Sequence, residues 1–540
     1  MPELSESTKK LINQYGFAQK LDEPKEGLAT IHVDEVALRV AEVYEKIRTV
    51  VEWKEEHLMR RAAIIRKLKR RFFDLELNNY SDTDEISEAL ILELIRGGHF
   101  PNDKIEESKI KDIQNIISKY VFILKNNSEN RNGKGGLNFY NWLLDVASCE
   151  IEEALVPAIR EMALVKYMFW SMKDTIKVSD KIFQQGLLRK GDEDIQIYIA
   201  VCQALFKFDK PIISYNLIKY KYQNWKKADK DLILEVSKNI YDIWREIEKD
   251  LENPLSNKFY ALCEKYDTPY LLLGDILLQS DPSLVAKEIT NPEILETKIK
   301  EAYSKRMATL KTRISRAAIY STISIFATKI LSLVILEWII DTITKSQTNF
   351  SIFFADIAIP TILMFLMVSS IKKPSKKNLN LVIMETMKIV YKREDLDMHE
   401  IKLNRKKSIA TRIILSLVYV LSSFITFGGI CYILNYLGFP ITSIVIDIIF
   451  IALILFAGTA LAKRAQELTM EKEKEGFLSF LSDVLFLPVQ GFGKWISTTW
   501  KQYNAIAALF NALIDMPFSA FIEFLEGWRY FIKERKEEIR

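Results

Sequence analysis

The spacing of apolar and polar positions divides the chain into two unlike halves near Arg316. Before that residue, apolar side chains recur every three or four positions among many Lys, Glu and Asp, which is the spacing of amphipathic helices. Beyond it lie nearly charge-free runs of about twenty residues, the length a helix needs to cross ~30 Å of hydrocarbon. Four such runs are expected as spans, at about 317–343, 350–371, 411–434 and 441–462. The first two are joined only by TKSQTN and the last two by a turn containing Gly438 and Pro440, so each pair predicts a tight antiparallel hairpin.

The N-terminal half adds its own pattern. Val36, Val40, Val43, Ile47 and Val50 alternate at spacings of four and three, predicting a bundle or coiled-coil seam within a helix over 34–72. From 85 to 300, helical stretches alternate with turn signals such as GGHFPND, NSENRNGKGG, RKGDED, ENPLSN and SDPS, which suggests a helical bundle or an irregular solenoid. After the spans, residues 477–532 are apolar and aromatic but interrupted by Pro488, Gly491, Gly493 and Pro517. Within 504–531, Ile506, Leu509, Leu513, Phe521, Phe524 and Trp528 fall at helical spacing opposite Asn504, Asn511, Asp515 and Ser519, predicting amphipathic helices in the interface or docked on the bundle. A fifth span centred on Asp515 and Pro517 is the alternative.

The expected fold class is therefore all-α: a helical membrane protein with a four-span bundle of two hairpins, a large N-terminal cytoplasmic helical domain and a C-terminal amphipathic helical segment. The corresponding domains are 1–310, 311–462 and 463–540. Only 18 Gly and 14 Pro occur, so breakers of helix are scarce. Lys and Arg set the orientation: five lie in 305–316, twelve in 372–412 and four in 463–475, whereas the two opposite loops hold only Lys345. Both termini are accordingly expected in the cytoplasm, with the protein multi-pass in the cell membrane. The N-terminus MPELSESTKKLINQYGF lacks the apolar core of a signal peptide, which agrees with that placement.

Candidate chemistry is sparse outside the spans. The four cysteines stand singly and are read as reduced, and His32, His57, His99 and His399 are isolated from one another. HExxH, GxSxG and Rossmann fingerprints are missing, and the glycines of NNSENRNGKGG lack the GxxxxGK[ST] context of a phosphate cradle. The chain is not expected to be an enzyme or to hold a cofactor. A net charge of +4 is too small to imply nucleic-acid binding. The basic run of Arg60, Arg61, Arg66, Lys67, Arg70 and Arg71 is a candidate contact for anionic lipid, with a solvated helix face as the plainer reading.

Inside the spans lie Lys329, Glu337, Asp341, Asp356 and Asp447, each costly in hydrocarbon. Asp356 and Asp447 both precede a Phe by nine residues, in ADIAIPTILMF and IDIIFIALILF, which suggests equivalent depths in two related hairpins or a chance match of aliphatic runs. Glu337 and Asp341 share a helix face at i, i+4. Four carboxylates at one level form a candidate cation or ion-pair site; snorkelling to interfacial water is the competing account. Lys329 falls near the middle of its span and needs a carboxylate, for which Asp356 or Asp447 is the natural partner. Gly428, Gly429, and Gly458 with Ala462 are expected at close helix contacts.

The first expectation for function is a non-enzymatic anchor or scaffold whose helical domain binds proteins or the membrane surface, with the bilayer as partner and homo-oligomers through the spans. The second is a cation channel or transporter that uses the intramembrane carboxylates.

Overall fold

Among the described residues helix forms where the apolar spacing runs unbroken, and several helices begin where Asp, Asn and Pro supply caps. The computed structural model describes residues 3–22, 29–33, 60–69, 83–96, 99–100, 102–127, 136–279, 281–333, 350–371, 376–391, 398–403, 408–470 and 477–503, with 524, 528, 531 and 532. The described residues are almost wholly helical, as expected. They cluster into two compact units: residues 10–264 with 398–401 and 506–540, and residues 265–397 and 402–505 with 1–9. The segment 265–310, grouped by its polarity with the N-terminal domain, clusters instead with the apolar helices.

The polar unit contains most of α1 (Glu6–Asp22), a helical stretch over 60–69, and then α2 (Thr83–Arg96), α3 (Ser108–Lys125), α4 (Gly136–Leu155), α5 (Ile159–Thr175), α6 (Asp180–Gln184), α7 (Asp192–Phe206), α8 (Lys210–Lys221), α9 (Lys230–Leu251) and the start of α10 (Ser256–Gln279). Helix α4 is its core. Phe139, Leu143, Val146, Ala147 and Ile151 are buried there, and α3 and α8 pack against it. Asp209 and Asp229 cap α8 and α9 by accepting from the amides of Ile212 and Leu232, which explains why those helices begin where they do. One polar group goes deep: Glu150 on α4 accepts from Lys119 Nζ at 2.6 Å, Tyr120 OH at 2.8 Å and Trp225 Nε1 at 3.0 Å. With both oxygens satisfied, the carboxylate ties α3, α4 and the Trp225 turn together.

The all-α expectation misses one element. Strand β1 (Ile176–Val178) pairs in parallel with β2 (His399–Ile401), so the connection between the apolar helices returns a strand to the polar unit. Three residues each with so wide a sequence separation leave no periodic trace, because such a pairing depends on a distant segment.

The apolar unit is built on α12 (Pro292–Ser332), a 41-residue helix that follows the short α11 (Pro282–Glu288). Asn291 caps it and Pro292 opens it. Its N-terminal half is amphipathic and its C-terminal half apolar, so the change of character read near Arg316 occurs within one continuous helix. Beside it stand α13 (Phe350–Ser369) and α14 (Lys376–Val390), then α15 (Ile409–Tyr436), α16 (Ile441–Ala465) and α17 (Phe477–Tyr503). Of these, α15 and α16 are long and apolar enough to cross a membrane. Helix α13 offers a shorter apolar stretch, and the rest of the expected first span beyond residue 333 lies outside the described residues. The described helices thus present two candidate spans of full length rather than four. Along α15, Ile413, Leu417, Phe424 and Tyr432 are all exposed, Phe424 at 74 %. A continuous apolar face of this kind suits lipid rather than water.

Between α15 and α16 the chain turns at Gly438, where φ is +84° and the Phe439 amide reaches back to the Leu434 carbonyl at 3.1 Å. Only glycine adopts that left-handed cap without penalty. Helix α14 turns the basic central connection into structure. Asn378 donates to Tyr303 Oη at 3.1 Å and to the Leu468 carbonyl at 2.6 Å, and accepts from the Met470 amide at 2.8 Å. That single side chain fastens α14 to α12 and to the turn after α16.

Helix α17 runs straight through the expected interruption and lies along α15 and α16. Pro488 removes one amide from its ladder and so frees the Val484 carbonyl; one residue on, the Leu485 carbonyl accepts from the Thr426 hydroxyl of α15 at 2.7 Å, which ties α17 to α15. The amphipathic pattern over 504–531, expected to lie in the interface or dock on the bundle, falls almost entirely outside the described residues. The expected small-residue contacts are only partly realised: Gly458 sits against Met367, whereas Gly428 and Gly429 have open space where a Cβ would point.

Candidate functional site

Lys329 lies on α12, Asp356 on α13 and Asp447 on α16, and the packing of these three helices brings the charges together. Lys329 Nζ stands 2.9 Å from Asp356 Oδ2 and 2.9 Å from Asp447 Oδ1. Side-chain exposure is 0 % for Lys329, 2 % for Asp356 and 0 % for Asp447. The Phe450 ring, one turn along α16 from Asp447, lies 5.5 Å from the ammonium and adds a cation–π contact. Both candidate partners of Lys329 are thus engaged at once.

Helix geometry explains the common level. Asp356 and Asp447 each sit six residues into their helices from Phe350 and Ile441, or ~9 Å at the helical rise. Since α13 and α16 pack side by side, equal offsets place the two carboxylates opposite one another. Helix α12 supplies the lysine from its last described turns. Buried apolar clusters lie along the same helices to either side: Met364, Ile454 and Leu461 with Ala317, and Leu434, Phe439 and Ile444. Glu337 and Asp341 lie outside the described residues, so the site as described holds two of the four expected carboxylates.

The arithmetic of charge is the chemical point. Among the described residues one ammonium faces two carboxylates, a formal charge of −1 at a buried place, where an uncompensated ion is very costly. One further positive charge, a proton on a carboxylate or a monovalent cation, balances the cluster. Among the described residues no group of three or more His, Cys, Asp and Glu side chains is arranged to hold a metal ion.

Within the basic run near residue 60, Arg60, Arg61 and Lys67 pair with carboxylates of the polar unit. Arg61 is 3 % exposed and makes a two-pronged contact with Asp209, Nη1 to Oδ1 at 2.9 Å and Nη2 to Oδ2 at 2.7 Å. Arg60 bonds Glu152 at 3.0 Å and Lys67 bonds Glu93 at 2.8 Å. Arg61 is thus an internal clasp, neither a lipid contact nor part of a solvated face, because the apolar side of this helix (Ala63, Ile64, Leu68) carries it inward. Arg66 is half-buried and partnered; Arg70 and Arg71 lie outside the described residues. Burial pushes the neighbouring Cys149 thiol up to about 12, which keeps it protonated and unreactive at neutral pH.

Sequence reasoning did not weigh Asn378 or Thr426 as fasteners, since a single Asn or Thr in a helix carries no periodic signal. The chain matches no family model, no curated protein and no solved structure.

Proposed function

We propose that the protein is a multi-pass integral membrane protein that passes a proton or a small monovalent cation through the Lys329–Asp356–Asp447 cluster. The observation that carries this reading is the buried pairing of one lysine with two aspartates, whose charges do not cancel among the described residues. A plain structural lock needs one carboxylate per lysine; a second one makes the cluster a place where a positive charge enters and leaves. In this reading the spans lie at about 317–343, 350–371, 411–434 and 441–462, both termini face the cytoplasm of the cell, and the polar unit is a cytoplasmic, non-enzymatic domain.

The test is ion flux in liposomes. Purified protein is reconstituted, and proton, Na⁺ and K⁺ movement is followed under an imposed gradient. Flux is expected in the native protein and lost in Asp356→Asn with Asp447→Asn; silence of the native protein toward all three ions sinks the proposal.

A second reading has its own observation. Most of the polar unit plays no part in a conduction path, and it exposes Trp170 and Tyr220, each 55 % accessible. Exposed aromatics of this kind are favoured at protein interfaces. On this reading the spans anchor a scaffold, and binding of a protein partner survives neutralisation of both aspartates.

A further inference from the structure

A groove of about 620 Å³ opens between the middle of α12 and the C-terminal ends of α13 and α16. Its volume lies within the ~300–1,000 Å³ usual for ligand sites. It is long rather than round: the α12 wall extends from Met307 to Ile323, some 24 Å at the helical rise. The two ends differ in chemistry. At one end stand the Lys311 ammonium and the Ser315 hydroxyl; toward the other the walls are Ile319, Ile323 and Phe365.

The charge at the polar end is available. Arg306, one turn earlier, is already held by Asp275 and the Leu271 carbonyl. Lys311 is exposed and makes no ion pair among the described residues. It also sits where α12 passes from its polar to its apolar half, the level at which a membrane helix meets lipid headgroups. A cation above a long apolar slot matches a molecule with an anionic head and an extended hydrocarbon tail.

We propose that this groove holds one anionic phospholipid of the cytoplasmic leaflet, with its phosphate on Lys311 and Ser315 and an acyl chain between α12 and α13. The inference rests on the membrane reading above. Basic pockets between spans on the cytoplasmic side are established places for anionic headgroups. A zwitterionic lipid offers the same phosphate, but its own cation offsets the attraction to Lys311.

The experiment uses the full-length protein, delipidated in detergent and titrated with phosphatidylglycerol or phosphatidylcholine, with bound lipid counted by native mass spectrometry. The native protein is expected to prefer phosphatidylglycerol by about fivefold, the effect of one lysine near an anionic surface. Lys311→Gln is expected to erase the preference while keeping lipid bound, and Ser315→Trp, which fills the groove, to lose both lipids. Arg313→Gln serves as the control, because Arg313 is exposed on the same helix but does not line the groove. Equal binding of the two lipids by the native protein overturns the proposal. So does an equal loss of preference in Arg313→Gln, which marks a diffuse surface attraction. Flotation with vesicles separates this failure from that of the membrane reading: protein that floats but shows no headgroup preference refutes the groove alone, and protein that does not float refutes both.

Discussion

Gly493 of α17 lies so close to Ala452 of α16 that a Cβ at position 493 would overlap the Ala452 carbonyl oxygen. The two helices therefore meet backbone to backbone, the kind of contact that small residues exist to permit inside an apolar bundle. Gly493→Val is expected to separate α17 from the bundle and lower the unfolding temperature in detergent, read by tryptophan fluorescence. Gly458→Ala should cost less, because the atoms it meets belong to the flexible Met367 side chain. Equal losses in the two variants would contradict this account of the contact.

Removing Lys329 leaves two carboxylates facing each other without their cation. Lys329→Met is expected to destabilise the apolar unit by about 3–5 kcal/mol, the range for breaking a buried ion pair. Adding Asp356→Asn and Asp447→Asn should restore most of that stability, since no net charge then remains buried. Flux should stay absent in the restored triple variant. Thermal unfolding and flux measured on the same three proteins distinguish the lock from the pathway.

Asn378 makes three hydrogen bonds, to Tyr303, Leu468 and Met470, from a buried position. Asn378→Ala leaves the Met470 amide without its acceptor, a loss of about 1–3 kcal/mol. The expected signature is local: faster hydrogen exchange in α14 and at 466–470, with exchange in α4 unchanged. Uniform acceleration across both units would argue against a fastening role.

Acidity should stabilise the polar unit before it harms it. Burial raises the Asp145 carboxyl to about 6, against the smaller opposing effects of Lys69 and Arg61. Burial, reinforced by Asp192 and Glu246, likewise raises Asp250 to about 6. Between their unfolded value of ~3.9 and about 6 the folded state binds more protons than the unfolded one, so stability grows as pH falls from 7 to 5. Glu153 runs the other way: burial works to raise it, but the Lys219 charge and hydrogen bond outweigh burial and leave it below its ordinary value. Its contribution is lost on further acidification. Hydrogen exchange of α4 amides should therefore slow from pH 7 to 5 after correction for intrinsic rates, and quicken again below about 4. Asp145→Asn should flatten the first limb.

Several features were legible because they are local. The helices, the change of character near Arg316, and the need of Lys329 for a carboxylate all follow from residue spacing and the cost of a charge in apolar surroundings. The matched offsets of Asp356 and Asp447 were also visible as a repeat of nine residues before a Phe.

Only the tertiary structure decided which partners those residues meet. A lone lysine in an apolar run states a requirement, but whether one aspartate or two fulfil it depends on α12, α13 and α16 converging, and no single segment encodes that. Arg61 likewise looks like any residue of a basic run until the apolar side of its helix turns it onto Asp209. Pro488 reads as a break, yet α17 continues through it while packed along α15 and α16. The reason is common to all three: periodicity reports which positions of a segment turn to polar or apolar surroundings, whereas the pairing of charges and the passage of a helix through proline are set by close packing between segments distant in the chain.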